Sequence, residues 1–392
     1  MPKLWILAAA CFLCGAIGAN GALAAGVVVG VNALNVQNLS EAQQDALVGS
    51  LQKQGVQTVR TGLGDKSAHF IISAFRHGIG TIAIVDPTAG SAVAAQNARR
   101  ADPPLTTWKV GRLSDADPEG FKRWLAPQLA ILQQNGVKLT ALEIGNELNS
   151  PPYNGDFDVP GDGRVLGFDD LEKGWKAWSD KEPIADAEAS HVAKGFYVYL
   201  SILAAAKGAM REVSPLNRAT PVISSGATYN TDVPHPASSP RVMGPAHGVP
   251  AADFIRFLRQ HGLDNRVDGY GIHIYYSTPN NIDAALSICD GAGSKPCWLT
   301  EWGGFSTTGT VCPLGYGPDD DVTHFGLVSK IRETLRPFVS RGRLASAVYY
   351  SWNSGGAIYI PACNGVTRSG RSAISPFESL DRRASQAPCF WC

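Results

Sequence analysis

The chain has 392 residues, long for one compact domain but ordinary for an α/β barrel with inserted loops. Its 34 basic and 34 acidic residues cancel to a formal net charge of zero, and neither sign forms a block. This balance argues against nucleic acid and anionic membrane surfaces as partners.

The first element in chain order is a leader. Met1-Pro2-Lys3 precedes an apolar stretch from Leu4 to Ala19, and Ala22-Leu23-Ala24 offers a small-x-small cleavage site. This is the pattern of a secretory signal peptide over residues 1–24, which leaves 25–392 as one catalytic domain in the secreted or periplasmic space. The stretch is short for a bilayer span, so no retained membrane segment is expected. Cys11 lies too early in the apolar run for a lipoprotein-type site.

A repeating unit follows: a helical stretch ends in glycine, and a β-branched run begins just after. It occurs at Gly55, Gly78, Gly136, Gly262 and Gly342. Glycine past a helix end takes the left-handed conformation that closes the helix. Repeated helix–Gly–strand units predict alternating α and β and a parallel sheet. The strand candidates are Val27–Val31, Val56–Arg60, Thr81–Val85, Leu139–Asn146, Val222–Ala227, Val267–Tyr275, Trp298–Glu301 and Leu344–Trp352.

Helices are predicted between them, the first opened by a capping box at Ser40-Glu41-Ala42-Gln43. The others are His69–His77, Glu119–Gln134, Glu188–Val213, Ala252–His261 and Thr323–Val339. Between Ala285 and Lys295 a short connection replaces a full helix. Eight strands in this order predict an α/β fold, a (β/α)8 TIM barrel with long βα loops. An open doubly wound sheet is the alternative, but no Gly-rich phosphate turn follows the first strand. The long loops are Pro151–Ala187, Thr228–Pro250 and Gly303–Asp321, all beyond C-terminal strand ends, where they would wall a cleft.

Strand periodicity places the polar residues. With period two, Glu143, Gly145 and Glu147 share one face of the fourth strand, opposite Leu142 and Ile144. Gly271, His273 and Tyr275 share a face of the sixth, opposite Ile272 and Ile274. Thr58 and Arg60 oppose Val59 on the second. The polar sets face the barrel axis and gather near the C-terminal strand ends, where barrel active sites lie.

Two of these strands end in glutamate, a residue depleted in strands and costly to bury. Glu147 and Glu301, on strands four and seven, can converge over the barrel mouth as an acid and a nucleophile for glycoside cleavage. Arg60 is expected beside Glu301, holding it ionised, with Tyr275 as a hydrogen-bond donor to it. Glu147 has no cation near it in sequence, which suits an acid kept protonated.

Gly145-Asn146-Glu147 and Thr300-Glu301-Trp302 resemble the clan of retaining (β/α)8-barrel glycoside hydrolases, which includes cellulase-like, β-xylosidase-like and endo-galactanase-like families. The resemblance implies that Glu147 is the acid/base, Asn146 the ligand of the sugar 2-hydroxyl and Glu301 the nucleophile. Arg60 matches the clan's arginine beside the nucleophile, His273-Ile274-Tyr275 its His-x-Tyr on strand six, and Trp352 the aromatic flooring the subsite of the cleaved sugar. Leu148 stands where cellulase-like members carry proline, and Asp86-Pro87 where they carry histidine, which leaves family and substrate open.

Blander readings stand beside these. Glu147 alone reads as a surface glutamate, His273 as a satisfied core histidine, and Glu143 as a buried carboxylate paired with an interior cation or hydroxyl. Trp175 and Trp178, three apart, read as sugar platforms or as one helix face. Trp302 and Trp352, at strand ends, are the better substrate-binding candidates. No metal is expected, because no second His or Asp lies at ligand spacing on the sixth strand, and no cofactor is implied.

The leading function is a retaining hydrolase of β-linked oligo- or polysaccharides, endo-acting, and a monomer is expected. A transglycosylase using the same residues and a non-catalytic carbohydrate-binding barrel are the alternatives, with a metal-dependent hydrolase third. Past the leader, Cys289, Cys297, Cys312, Cys363, Cys389 and Cys392 make an even set that reads as disulfides, Cys289 with Cys297 first among them. Cys389 and Cys392 have redox-motif spacing but no βαβ context, so they read as structural.

Overall fold

The computed structural model describes residues 26–92, 98–99, 108–158, 164–229, 248–275, 279–291, 293–303, 322–353 and 357–377. Within them the apolar runs form parallel strands β1 (Val28–Asn32), β2 (Thr58–Gly62), β3 (Gly80–Val85) and β4 (Ala141–Ile144). β5 comes in two pieces, Val222–Ile223 and Ala227–Thr228, and is followed by β6 (Tyr270–Tyr275), β7 (Cys297–Gly303) and β8 (Leu344–Tyr350). Hydrogen bonding runs β4–β3–β2–β1–β8–β7–β6, with one piece of β5 against β4 and the other against β6. Single bridges Asn146–Gly226 and Ile223–Gly269 tie each piece to the other neighbour as well. The interrupted strand therefore closes the sheet into the expected eight-stranded barrel.

Helices α1 (Glu41–Lys53), α2 (Ala68–Arg76), α3 (Pro118–Gln134), α4 (Phe168–Ser179), α5 (Ala187–Val213), α6 (Ala251–Gln260), α7 (Pro279–Leu286), α8 (Val322–Ser340) and α9 (Arg368–Ile374) accompany the strands. α1 opens on the predicted capping box: Gln43 N–H donates to Ser40 Oγ and Ser40 N–H returns a bond to Gln43 Oε1. Gly55, Gly78, Gly136, Gly262 and Gly342 all have positive φ, as helix-closing glycines should.

Two helices correct the sequence reading. The Pro151–Ala187 connection, expected as loop, contains α4. The β6–β7 crossover is carried by the short α7, just before the expected gap. A Cys289–Cys297 disulfide then pins the chain at the start of β7. Cys363 is also disulfide-bonded. Trp175 stacks on Tyr197 of α5 with ring centroids 4.2 Å apart, so it is a helix-face residue rather than a sugar platform. The expected leader, Cys312, Cys389, Cys392 and most of the other two long connections lie outside the described residues. Among the described residues, no helix is long and apolar enough to cross a membrane.

Strand alternation sorts the interior into layers. Val59, Leu142, Ile144, Ile272, Ile274 and Leu299 join the apolar core between barrel and helices. Ile82, Ala141, Ile223, Trp298 and Val348 form a second apolar cluster that plugs the barrel toward its N-terminal end. Above that plug the inward positions turn polar, with Arg60, Glu143, His273, Thr300 and Glu301 all buried. Burying this many polar groups is tolerable only if they satisfy one another.

Candidate active site at the C-terminal mouth of the barrel

Glu143 lies deepest, one inward position above Ala141 on β4, and is fully buried. One carboxylate oxygen accepts from Arg60 Nε at 2.5 Å; the other accepts from Thr300 Oγ1 at 3.0 Å and from Gly226 N–H at 3.1 Å. Arg60 spends the rest of its guanidinium fork on Asn32 Oδ1 and Asn146 Oδ1, both at 2.9 Å, and on a close ion pair with Glu301. Asn32 in turn donates to the Thr300 carbonyl at 3.0 Å, clamping β1 to β7 beneath the nucleophile candidate.

Glu301 reaches this network through a break in alternation. β7 carries one more residue than β6 between Leu299 and Glu301, so Thr300 and Glu301 together oppose His273. Such a bulge turns two successive side chains to the same side. Leu299 faces the helices, Thr300 and Glu301 both face the axis, and Trp302 faces the helices again.

Glu147 arrives differently. β4 ends at Ile144, and the chain then passes through Gly145 at φ 88° and Glu147 at φ 44°. A Cβ on Gly145 would sit 2.7 Å from Leu148 Cδ1, so both space and φ require glycine there. Glu147 is held by its N–H donating to the Gly226 carbonyl at 3.0 Å, while Ser150 N–H and Oγ donate to its own carbonyl. Its side chain meets His273 Nδ1 at 2.8 Å.

His273 thus proves to be the basic neighbour that the sequence did not show for Glu147. Its protons can be placed. Glu143, an acceptor only, takes the single Thr300 hydroxyl proton, so Thr300 Oγ1 presents a lone pair to His273 Nε2 at 3.2 Å. Nε2 must then carry a proton, leaving Nδ1 to share one with Glu147. Burial opposes an imidazolium here, but Glu301 and the hydrogen-bonded Glu147 outweigh it and raise the His273 pKa. Gly226 makes room: a Cβ there would lie 2.0 Å from His273 Nε2.

Burial pushes the Glu301 carboxyl above its ordinary range. His273 and Arg60 pull it down, Glu147 and Glu143 push it further up, and the net direction is upward. The expectation that Arg60 keeps Glu301 ionised is corrected to this extent: the contact is real, but desolvation exceeds it.

The remaining candidates divide. Asn146 stands beside Arg60 at the mouth. Tyr275 stands edge-on to Tyr350, with ring centroids 5.6 Å apart, and beside the His273 ring. Trp302 is a correction: it is 1% exposed, packs against Tyr349 in the layer under the helices, and has no face toward the cleft. Trp352 is fully buried and stacked on Tyr359 at 4.8 Å, which leaves it no open face as a sugar floor.

Sequence reasoning missed Asn32, Thr300 and Tyr153. Asn32 was signalled by its place two residues after Gly30 on the inward face of β1, one residue beyond the predicted end. Tyr153 sits in the turn after Glu147 with its ring exposed at the surface, while desolvation of its hydroxyl, Glu147 and Glu301 all raise its pKa. It joins Leu63, Asp86, Thr88, Val110 and Asn146 around a cavity of about 460 Å³, within the range that seats small ligands. Asp86 Oδ1 accepts from Thr88 N–H and Oγ1, both at 2.8 Å.

An oxygen each from Glu147 and Glu301 and a ring nitrogen of His273 lie within 4.8 Å of one another. That spacing suits a divalent ion, but Arg60 already contacts Glu301 and Nδ1 already bonds Glu147. A cation there would face a guanidinium and displace the hydrogen bond, so the donor set fits an acid–base pair better than a metal.

No family model matches the chain, and no curated protein matches it. Solved structures do. The β-glycosidase BGL167 aligns with a TM-score of 0.51 at 12% identity, covering 90% of this chain and 98% of that one. A family 1 β-glucosidase from Thermotoga maritima aligns at 0.49 and 12% identity, covering 90% and 99%. The virulence factor SghA from Agrobacterium tumefaciens aligns at 0.49 and 11%, covering 88% and 95%. At such identities the first of these likenesses speaks for the barrel fold, and the chemistry has to rest on the residues themselves.

Proposed function

We propose that this protein is a retaining glycoside hydrolase acting on β-linked glycans. The observation that carries the reading is the carboxylate pair: oxygens of Glu147 and Glu301 lie within 4.8 Å of each other. Retaining enzymes hold their carboxyl groups about 5–5.5 Å apart, whereas inverting ones leave roughly 6.5–9.5 Å for a water. The barrel fold shared with a β-glycosidase agrees with it.

In this reading the Glu301 carboxylate attacks the anomeric carbon as Glu147 gives its proton to the departing glycosidic oxygen. The C–O bond breaks and a glycosyl ester forms on Glu301. Glu147, now a carboxylate, takes a proton from water; that water attacks the anomeric carbon, and the ester bond breaks to regenerate Glu301. Arg60 steadies the nucleophile, and Asn146 binds the 2-hydroxyl. The cavity bounded by Asp86, Thr88 and Tyr153 supports a further subsite, hence an oligo- or polysaccharide and endo action. Its residues named here carry a carboxylate and no cation, which favours a neutral sugar over a uronic acid. Secretion is supported by the Cys289–Cys297 disulfide, since such bonds persist in oxidising compartments.

The test is Glu301→Ala. Turnover should vanish, and azide should restore it with a glycosyl azide of inverted configuration. Wild-type turnover in that variant would overturn the reading.

A further inference from the structure

We propose that Glu143, which never touches substrate, is the positioning residue that aims both catalytic partners: Arg60 at Glu301, and through Thr300 the His273 proton at Glu147. The proposal rests on the assignment of Glu301 as nucleophile and Glu147 as acid/base.

Geometry gives Glu143 this place. An arginine fork is rigid, so fixing Nε fixes the directions of both terminal nitrogens. With Nε held by Glu143, one terminal nitrogen reaches Glu301 and Asn32, and the other Asn146. The second Glu143 oxygen holds the Thr300 proton, which obliges His273 Nε2 to donate and leaves Nδ1 for Glu147. The same oxygen also takes the N–H of Gly226, the residue against which His273 is packed. One fully buried carboxylate therefore joins β2, β4, β5 and β7.

Charge follows the same lines. Arg60 divides one positive charge between Glu143 and Glu301. Without the Glu143 charge, all of it would fall on Glu301, which would hold its proton less tightly and attack less readily. Glu301 faces Arg60 from β2, Glu143 and Glu147 from β4 and the chain just beyond, His273 from β6, and Tyr153 from the turn after Glu147. Of these, Arg60 alone bonds to both Glu301 and Glu143.

Two variants test the two arms on an alkyl β-glycoside, whose departing oxygen needs the proton. In Glu143→Gln, kcat should fall by about 10- to 100-fold with KM little changed. The acid limb of kcat/KM should move to lower pH by about one pH unit, because Glu301 then has Arg60 to itself. In Thr300→Val, a near-isosteric change that removes the hydroxyl, the acid limb should stay. The basic limb should move to lower pH as the His273 imidazolium loses its partner.

Folded variants with reduced kcat but wild-type limbs would show Glu143 to be merely structural and overturn the proposal. If Glu143→Gln does not fold, an unmoved basic limb in Thr300→Val overturns the His273 arm by itself. Failure here is separable from failure of the proposed function, because Glu301→Ala would remain inactive and azide-rescued.

Discussion

Glu147 occupies φ 44°, a region that costs a non-glycine residue about 1–3 kcal/mol. It is held there by Gly226 and Ser150, and the result is a carboxyl directed at His273 rather than at solvent. If Glu147 serves mainly to protonate the leaving oxygen, its loss should matter in proportion to how much protonation the leaving group needs. Glu147→Ala is expected to slow glycosyl transfer from alkyl glycosides by about 10²–10⁴-fold, while dinitrophenyl glycosides form the intermediate at near wild-type rates. Pre-steady-state bursts with the two substrate classes check this. Equal slowing of both would remove Glu147 from the acid role. The pair itself was legible because a strand-like run closing on glutamate is rare, and two of them invite pairing, although β4 stops at Ile144 and β7 runs on to Gly303. Trp302 was misplaced for the opposite reason: adjacency to Glu301 suggested the cleft, whereas an outward position after an inward one belongs under the helices.

The elements explain why alternation served on β2 and β6, held on β4 only as far as Ile144, and failed on β7. Where a strand runs in register through its polar stretch, period two carries each side chain to its observed face, whereas Glu147 reaches the axis through the positive-φ turn past Ile144. The extra residue in β7 has no signature in Trp298-Leu299-Thr300-Glu301, because a bulge is settled by hydrogen bonding with the strands on either side. α4 was hidden by a Gly- and Asp-rich stretch that reads as loop, and α7 by its eight-residue length. The split in β5 was equally silent, and it has its own support. Tyr199 of α5 reaches through the core to donate to the Ile144 carbonyl at 2.6 Å and to accept the Ser225 N–H at 2.7 Å, bridging β4 to the gap in β5. Tyr199→Phe removes both bonds and leaves a buried N–H unpaired, for an expected loss of about 1–3 kcal/mol. Urea unfolding should show a lower midpoint at unchanged slope. An unchanged midpoint would mean that the gap in β5 is held by its neighbours alone.

Across the whole molecule, the shifted buried groups at the barrel mouth pull stability in one direction with pH. Asp156, buried between the turn after Glu147 and the start of α5, accepts from Ser114 N–H and Oγ, yet burial outweighs these bonds and pushes it up to about 6. Glu301 and His273 are raised as well. A group whose folded pKa is raised binds its proton more tightly in the folded chain. Its contribution is complete below the unfolded pKa and is lost as pH climbs through the folded value. For Asp156 that window runs from the unfolded 3.8 to about 6. At 1.36 kcal/mol per pKa unit it is worth on the order of 3 kcal/mol. His273 extends the decline above 6.5, its ordinary value. Asp45, Asp117 and Asp186 shift downward, but they are exposed or nearly so, and what they add fades only as pH falls below 3.8. Thermal stability should therefore peak well on the acid side of neutrality and decline from about pH 4 to pH 8. If Glu301 is the nucleophile, its upward shift moves the acid limb of activity toward that decline, so activity should rise with pH as stability falls. Melting temperatures across that range check the first half, and a melting point that climbs steadily to pH 8 would contradict it. Asp156→Asn separates the contributions: the slope between pH 4 and 6 should flatten while the acid limb of kcat/KM stays in place, because Asp156 bonds Ser114 and not Glu147 or Glu301.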